Sequence, residues 1–391
     1  MRLLFATQPL RSHLNSLLPV VHAVREQGHS VAIASGPGLA PAARRLGVEF
    51  LPCGGSGDIA DLDSRLPSEL RDRLAGAPIA VRHLMAFSAG LAPAFAQDLL
   101  DRGAAWEPDV VVRDPVEFGS VIAAERWGIP YASVMWAAHI DPRFIIREAV
   151  AGVASAFGLD GEAVVDGFDR HLVIRYLPPT WRIPDTSWPA TASSFRTPPH
   201  DRADDDVVWA DRFATAGSRP TVYATIGLSF STDPAVFRAV LDALDGLDVD
   251  AVVTTGHAID AAALGPVPAN VHLAGYIPGS LVLPRCAAVV MHGGFNTLHQ
   301  VLWHGLPSVV VPQMGGDQGI SAEHVARLGL GLHVPGPVPA VDDLRRAIER
   351  VVGEPAFAER SRAMRDEIHA LPPLEDAVVR LESLAGAVPI G

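Results

Sequence analysis

The segment 291–297, with the sequence MHGGFNT, has the residue types and the spacing needed to bind a diphosphate. It directly follows an apolar run and directly precedes a helical pattern, so it predicts a turn between a strand and a helix. Gly293 and Gly294 would let a ligand approach the backbone there, and the first N–H groups of the helix would point at it. His292 and Thr297 can add side-chain donors. A glycine-rich turn without a ligand is the ordinary alternative, since such turns are common in α/β proteins.

A second turn, residues 225–229 with the sequence TIGLS, follows the first apolar run of the same half of the chain. Gly227 opens this loop and Ser229 offers a hydroxyl. Together they predict a further contact to the same anion, although an ordinary turn at the end of a strand has the same composition.

His13 is a candidate general base. It lies in the loop between an apolar run, residues 3–6, and a helical pattern, residues 14–27, at the carboxyl end of the predicted strand. An imidazole in that place could take the proton of a substrate hydroxyl near neutral pH. A polar residue at a helix N-terminus is the alternative interpretation.

Strands and helices alternate in both halves of the chain, which predicts two doubly wound parallel α/β domains in tandem. The predicted strands cover residues 3–6, 30–34, 110–112, 131–134, 221–225, 252–255, 271–273, 288–291 and 308–311. The predicted helices cover residues 14–27, 118–127, 233–244, 296–303, 321–327 and 354–384, the last broken at Pro372 and Pro373. Sheets of this kind bind ligands at the carboxyl ends of their strands, and two facing domains would form a cleft.

The stretch from residue 176 to residue 220 is rich in Pro, Ser, Thr and Asp and shows no core pattern. We therefore predict a first domain over residues 1–195, a linker over 196–219, a second domain over 220–370 and a C-terminal helical segment over 371–391.

The composition excludes several kinds of chemistry. None of the 391 residues is a lysine, which rules out a Schiff-base lysine and a phosphate loop ending in lysine. The net charge of −13 argues against a nucleic-acid partner. Cys53 and Cys286 have no metal spacing, so neither a zinc site nor a disulfide is predicted. The sequence shows no signal peptide and no run of roughly 18 apolar residues, so we expect a soluble cytoplasmic protein.

Four motifs between residues 276 and 318 give the second half its resemblance to the nucleotide-sugar domain of GT-B glycosyltransferases. They resemble the bacterial natural-product branch of glycosyltransferase family 1, whose members act in antibiotic biosynthesis and secondary metabolism. The family's HGGxGT appears as residues 292–297, its HGxPxxxxPQ as residues 304–313, its sugar-binding Asp-Gln pair as Asp317 and Gln318, and its aromatic-x-Pro turn as residues 276–278. Two departures are Asn296, where glycine is usual, and a loop before Gln318 that is one residue longer than the common form.

The resemblance implies which residues would bind the donor. His292 and Thr297 would contact the diphosphate, and Asn296, which stands at the motif's glycine position, is a further candidate for binding the donor. Gly293 and Gly294 would let it approach, with Gly227 and Ser229 in the neighbouring turn. Ile277 would meet the base through its backbone, and Asp317 and Gln318 would bind sugar hydroxyls.

The resemblance also implies the reaction. His13 falls where the family has its catalytic histidine, although Ser12 replaces the usual preceding glycine, and Asp114 falls where the family has the carboxylate that orients this histidine. Asp114 as an ordinary helix cap remains the alternative. The implied activity is a metal-independent, inverting transfer of a deoxysugar from a nucleotide diphosphate, by analogy TDP, to a small lipophilic acceptor, with no cofactor.

By resemblance, the acceptor binds the first domain and the C-terminal helix crosses back onto that domain. Phe87 and Trp136 are candidates for lining the acceptor pocket, and core packing explains them equally well. A nucleotide-sugar hydrolase or epimerase with the same fold, and a non-catalytic partner protein, stay open as alternative functions. A homodimer is a further possibility that the sequence leaves open.

Overall fold

The computed structural model divides the chain into two compact units, Met1–Thr197 with Leu371–Gly391, and Pro198–Ala370. It describes residues 1–55, 64–138, 141, 143, 146–183, 187–201, 219–227, 233–256, 259, 261–314 and 316–386. Most of the linker predicted over 196–219 lies outside the described residues. Arg196 and Thr197, its first two residues, belong to the first unit, where the N–H of Arg196 donates to the carbonyl oxygen of Pro372.

The first unit contains a parallel sheet of seven strands in the order β3-β2-β1-β4-β5-β6-β7. The direction of strand addition reverses between β1 and β4, so two loops at the carboxyl ends of these central strands lie side by side. The strands are β1 Arg2–Ala6, β2 Ser30–Ser35, β3 Glu49–Pro52, β4 Val110–Arg113, β5 Tyr131–Val134, β6 Leu172–Arg175 and β7 Ala192–Ser194.

Helices flank this sheet, and most of them bury an apolar face in the unit, as the cover of a parallel sheet requires. In the described residues they are Arg11–Glu26, Ala40–Leu46, Ser68–Arg73, Ile79–Met85, Ala92–Asp98, Gly119–Trp127, Arg147–Ala156, Gly161–Asp166 and Glu375–Gly386. The last of these packs within the first unit. Its Arg380 Nη1 donates to Ser193 Oγ at 2.6 Å, and its Glu382 Oε1 lies 3.0 Å from His29 Nε2.

The helical run Ile79–Trp106 contains two wider turns and is the one part of the described chain long and apolar enough to cross a membrane by length and composition. Phe87, Leu91, Phe95 and Leu99 on this run are buried in the core of the first unit. Packing within the unit therefore accounts for its apolar composition, because core helices satisfy the same criterion as membrane spans.

The second unit contains a parallel sheet of six strands in the order β10-β9-β8-β11-β12-β13, which reverses between β8 and β11. The strands are β8 Thr221–Thr225, β9 Asp250–Thr254, β10 Val271–Ala274, β11 Ala288–Met291, β12 Ser308–Val310 and β13 Gly331–His333. The described helices are Pro234–Leu244, Gly279–Val282, Phe295–His304, Asp317–Leu328, Val341–Gly353 and Pro355–His369. The chain leaves this unit at Leu371, beside the predicted break at Pro372 and Pro373.

The stability of the second unit is expected to fall in mild acid because of His324. Burial, and secondarily the charge of Arg327, lower the pKa of this histidine from 6.5 to about 4. Between these two values the unfolded chain binds a proton that the folded chain does not, so the free energy of unfolding decreases as the pH falls. At about pH 5 the contribution of His324 to this loss is at most about 2 kcal/mol.

The measurement is urea unfolding of the wild type and of His324→Gln at about pH 7 and about pH 5. The variant should lose less stability over this interval than the wild type does. An equal loss in both proteins would contradict the assignment.

Candidate functional site

His13 and Asp114 meet where the sheet of the first unit reverses its order. His13 is the third residue of the helix that follows β1, and Asp114 directly follows β4. The Nδ1 atom of His13 lies 3.3 Å from Asp114 Oδ2, although the two residues are 101 positions apart in the chain. Both side chains are buried, His13 with 8% and Asp114 with 0% of its surface exposed.

Besides His13, three donors hold Asp114 as an ionised carboxylate. Its Oδ2 accepts from Thr7 Oγ1 at 2.8 Å and from the N–H of Gln8 at 2.7 Å, and its Oδ1 accepts from the N–H of Val116 at 2.8 Å. Burial by itself would raise the pKa of Asp114, but the charge and hydrogen bond of His13 and these backbone donors outweigh it and lower the pKa. The group can therefore fix the tautomer of His13 at neutral pH.

The alternative interpretation of Asp114 as a helix cap is wrong. The next helix begins at Gly119, and the carboxylate of Glu117 accepts from its first N–H groups, at 2.7 Å from Gly119 and 3.0 Å from Ser120.

Two aromatic side chains contact the imidazole of His13. Phe87 lies edge-on at 5.9 Å between ring centroids and Trp136 at 4.7 Å. Ser16 links the backbone of His13 to the side chain of Trp136. Its hydroxyl donates to the carbonyl oxygen of His13 at 2.7 Å and accepts from Trp136 Nε1 at 3.3 Å. Both candidate acceptor residues thus border the candidate base, and each also packs in or against the core.

In the second unit, His292 and Gly227 lie where that sheet reverses its order. Met291 at the end of β11 pairs with Thr225 at the end of β8, which places the two following turns side by side. Ser229, the other residue predicted in the β8 turn, lies outside the described residues.

The imidazole of His292 occupies a slot between two glycines. A Cβ atom at Gly294 would lie 2.4 Å from His292 Nε2, and one at Gly227 would lie 2.9 Å from it. Gly227 and Gly294 therefore leave room for the imidazole. The sequence predicted for Gly294 only the role of making room for a ligand. Burial lowers the pKa of His292 to about 4, although a hydrogen bond to the backbone of Thr225 acts in the opposite direction. At neutral pH this side chain is therefore an uncharged imidazole with one N–H group.

Gly293 joins this turn to the loop after β12. A Cβ atom there would lie 2.9 Å from the carbonyl oxygen of Gln318, and the φ of Gly293 is 90°, which disfavours any side chain. The absence of a side chain lets the helix Asp317–Leu328 begin directly beside the turn. The predicted diphosphate and sugar residues are thereby brought together within one unit.

Gln318 is buried, and its Oε1 accepts from the backbone N–H groups of Gln313 and Met314 at 2.9 and 3.1 Å. The carbonyl end of this side chain therefore holds the loop, which leaves the amide N–H₂ end as the group that could contact a sugar. Asp317 is half-buried in the first turn of the same helix.

The remaining donor residues surround the start of the helix Phe295–His304. Asn296 and Thr297 are its second and third residues and are half-buried. The first N–H groups of this helix have no partners within it and give its start a partial positive charge. Ile277 is buried immediately before the helix Gly279–Val282. Within the described part of the chain, no three His, Cys, Asp or Glu side chains are grouped as ligands of a metal ion would be.

Two residues that build the first site carry no signal in the sequence, since Thr7 and Gln8 hold Asp114 and belong to no motif. Gln313 is the last residue of the motif at 304–313, but its contacts with Gln318 and with the carbonyl oxygens of Val311 and Pro337 were not predicted. Single polar residues in loops have no period or spacing that would reveal such contacts.

Comparisons with known proteins agree along nearly the whole chain. Residues 22–155 match the N-terminal domain and residues 238–384 the C-terminal domain of the erythromycin biosynthesis protein CIII-like family. The chain is 28% identical to the 3-alpha-mycarosylerythronolide B desosaminyl transferase of Saccharopolyspora erythraea, over 98% of both proteins. It is 26% identical to the erythronolide mycarosyltransferase of the same organism, over 98% of this chain and 99% of the relative.

The crystal structure of the glycosyltransferase VinC in complex with dTDP superimposes with a TM-score of 0.79 at 26% identity, over 99% of this chain and 100% of the other. This likeness confirms the predicted fold class, two parallel α/β domains of the GT-B type.

Proposed function

The chain belongs to the erythromycin biosynthesis protein CIII-like family of glycosyltransferases, and from this premise we propose that it transfers a deoxysugar from TDP to a small lipophilic aglycone. The relatives named for desosaminyl and mycarosyl transfer, and the VinC complex with dTDP, support this choice of donor and acceptor. The observation that carries the mechanism is the 3.3 Å contact between His13 and the buried carboxylate of Asp114.

The proposed reaction begins with the acceptor hydroxyl. Because Nδ1 of His13 faces Asp114, Nε2 is the nitrogen that takes the hydroxyl proton, and Asp114 stabilises the imidazolium that forms. The oxygen forms a bond to the anomeric carbon as the bond from that carbon to the diphosphate breaks. Attack from the opposite side inverts the anomeric configuration. Phe87 and Trp136 would contact the lipophilic acceptor beside the base.

The departing TDP carries the negative charge that develops in this step. We assign its stabilisation to the first N–H groups of the helix Phe295–His304, to Thr297 and to the neutral donor of His292. Ile277 would meet the thymine base, and Asp317 and the amide N–H₂ of Gln318 the sugar hydroxyls. This set of donors needs neither a metal ion nor a cofactor.

A thermal-shift comparison of TDP, UDP and GDP tests the donor. We expect TDP to raise the melting temperature more than UDP or GDP at equal concentration, because the ligand that binds the folded state most tightly stabilises it most. At about 100 times its Kd the stabilisation is about 2.7 kcal/mol. The absence of a shift with any of the three would contradict the proposal.

Transfer is then tested with a panel of TDP-deoxysugars and lipophilic aglycones, with product detected by mass spectrometry. Release of TDP in the absence of any aglycone, with no glycoside formed in its presence, would instead identify a hydrolase, and conversion of the donor into an epimeric TDP-sugar would identify an epimerase.

A further inference from the structure

Two ionisable residues beside Asp114 are fully buried and have no part in the proposed reaction. Arg113 and Glu117 both have 0% of their surface exposed. Removing ionisable groups from water costs so much free energy that they contribute little net stability when buried. Their presence next to a catalytic carboxylate therefore calls for a role other than stability.

The guanidinium of Arg113 binds the turn that follows β4. Its Nη2 donates to the carbonyl oxygen of Pro115 at 2.8 Å and its Nε to that of Glu117 at 2.6 Å. Its Nη1 donates to Ser133 Oγ on the adjacent strand β5 at 2.7 Å. These bonds tie the turn to the centre of the sheet.

Aromatic rings hold the guanidinium itself in place. Its central carbon lies 4.4 Å from the ring centroid of Phe168 and 5.5 Å from that of Phe118. A planar fork packed against rings loses little further freedom when it binds, so it can act as a rigid template for the two carbonyl groups.

The peptide group held in this way positions Asp114. Val116 lies between the two carbonyl groups that Arg113 binds, and its N–H donates to Asp114 Oδ1 at 2.8 Å. From the other side, Gln8 Nε2 donates to the carbonyl oxygen of Val116 at 2.9 Å. This peptide fixes Oδ1, and together with the bonds of Oδ2 to Thr7 and Gln8 it directs Oδ2 toward His13.

We propose that Arg113 is a positioning residue, which fixes the turn 115–117 so that Asp114 Oδ2 stays directed at Nδ1 of His13. The inference rests on the proposed function, in which these two residues form the base. An ammonium group cannot replace the guanidinium, because it cannot reach all three acceptors in the planar fork geometry.

The test reads the tautomer of His13 directly, so it does not depend on transfer activity. Nitrogen NMR on the full chain carrying isotope-labelled histidine gives the Nδ1–H and Nε2–H populations, and His13→Gln assigns the signals. We compare the wild type, Arg113→Met, Asp114→Asn and the double variant. Arg113→Met should move the His13 tautomer populations toward those of Asp114→Asn and should change nothing further when Asp114 is already Asn.

A matched control separates the effect of the bonds from Arg113 to the turn 115–117 from the effect of its bond to strand β5. Ser133→Ala removes the bond on the β5 side and leaves an N–H of Arg113 unsatisfied, but it keeps both bonds to the turn. It should lower the melting temperature and retain the wild-type tautomer. If Arg113→Met does not fold, Arg113→Lys takes its place, and the same displacement of the His13 signals is expected.

Wild-type His13 signals in a folded Arg113 variant would overturn the proposal. If Arg113→Met displaces the His13 signals equally in the wild type and in Asp114→Asn, the proposal is also overturned, since that pattern indicates a general perturbation of the unit. A failure of the proposed function has a different signature. The wild type would then form no glycoside, or His13→Gln would form it as fast as the wild type, while the NMR result still holds.

Discussion

A glutamine in place of His13 is expected to lower kcat for sugar transfer by roughly 10²–10⁴-fold and to leave the affinity for TDP unchanged. The acceptor hydroxyl is a poor nucleophile until its proton is removed, and His13 is the imidazole whose Nδ1 faces Asp114 at 3.3 Å. TDP is assigned to the second unit, so its binding should not change. The measurement is kcat with a TDP-sugar and aglycone pair from the panel above, together with the TDP-induced thermal shift.

Asp114→Asn shows whether the two residues act as one catalytic group. A neutral amide keeps the shape of the side chain but no longer stabilises the imidazolium, so we expect a loss close to that of His13→Gln. The double variant should be no slower than His13→Gln alone, because residues that act as a unit are strongly non-additive. Multiplicative losses, or near wild-type transfer by either single variant, would refute the assignment.

The strands at the centre of each sheet could be predicted because they are buried on both faces. Residues 131–134, 221–225 and 288–291 were predicted with the bounds that the structure has, since each is a short run of apolar or β-branched residues ended by a turn. Four strands outside the centres of the sheets, β3, β6, β7 and β13, were missed, whereas the edge strand β10 was predicted as residues 271–273. The β7 strand Ala192–Ser194 is half-buried, carries no apolar alternation and lies in a proline-rich stretch.

Arg113 shows a different limit of sequence analysis. The strand β4 was predicted over residues 110–112, yet Arg113 also pairs with Ala6 inside the sheet and is fully buried. Its burial depends on acceptors from Pro115, Glu117 and Ser133 and on the rings of the core, which only the folded chain brings together. No local pattern distinguishes such an arginine from an exposed one.

The candidate sites could be located from the sequence because their residues follow the carboxyl ends of strands, where sheets of this topology bind ligands. Their internal contacts could not be. Glutamine at position 318 suggested a sugar contact, but its Oε1 is engaged with Gln313 and Met314. Gly294 was explained by ligand approach alone. In the structure Gly294 and Gly227 both lie against the imidazole of His292, and Gly227 is brought there by the pairing of β8 with β11.

Gly294→Ala is accordingly expected to weaken TDP binding by roughly 10- to 100-fold, as the loss of a hydrogen bond to a charged phosphate costs about 1.5–3 kcal/mol. The new Cβ atom would lie 2.4 Å from His292 Nε2, so the imidazole must leave its slot. Backbone strain does not contribute, because the φ of −64° and ψ of 143° at Gly294 suit alanine. The Kd for TDP is measured by titration calorimetry, with Gly353→Ala as the control, where a Cβ atom meets nothing within 4 Å.

A double-mutant cycle with His292→Ala decides what the missing side chain of Gly294 is for. If the glycine makes room for the imidazole, the slot is empty in His292→Ala, and adding Gly294→Ala should weaken TDP binding little further. If the glycine makes room for the diphosphate itself, the added methyl group should cost the same factor whether or not the imidazole is present. Because the distance of 2.4 Å is to His292 Nε2, we expect the first result, and an undiminished cost in the His292→Ala background would contradict it.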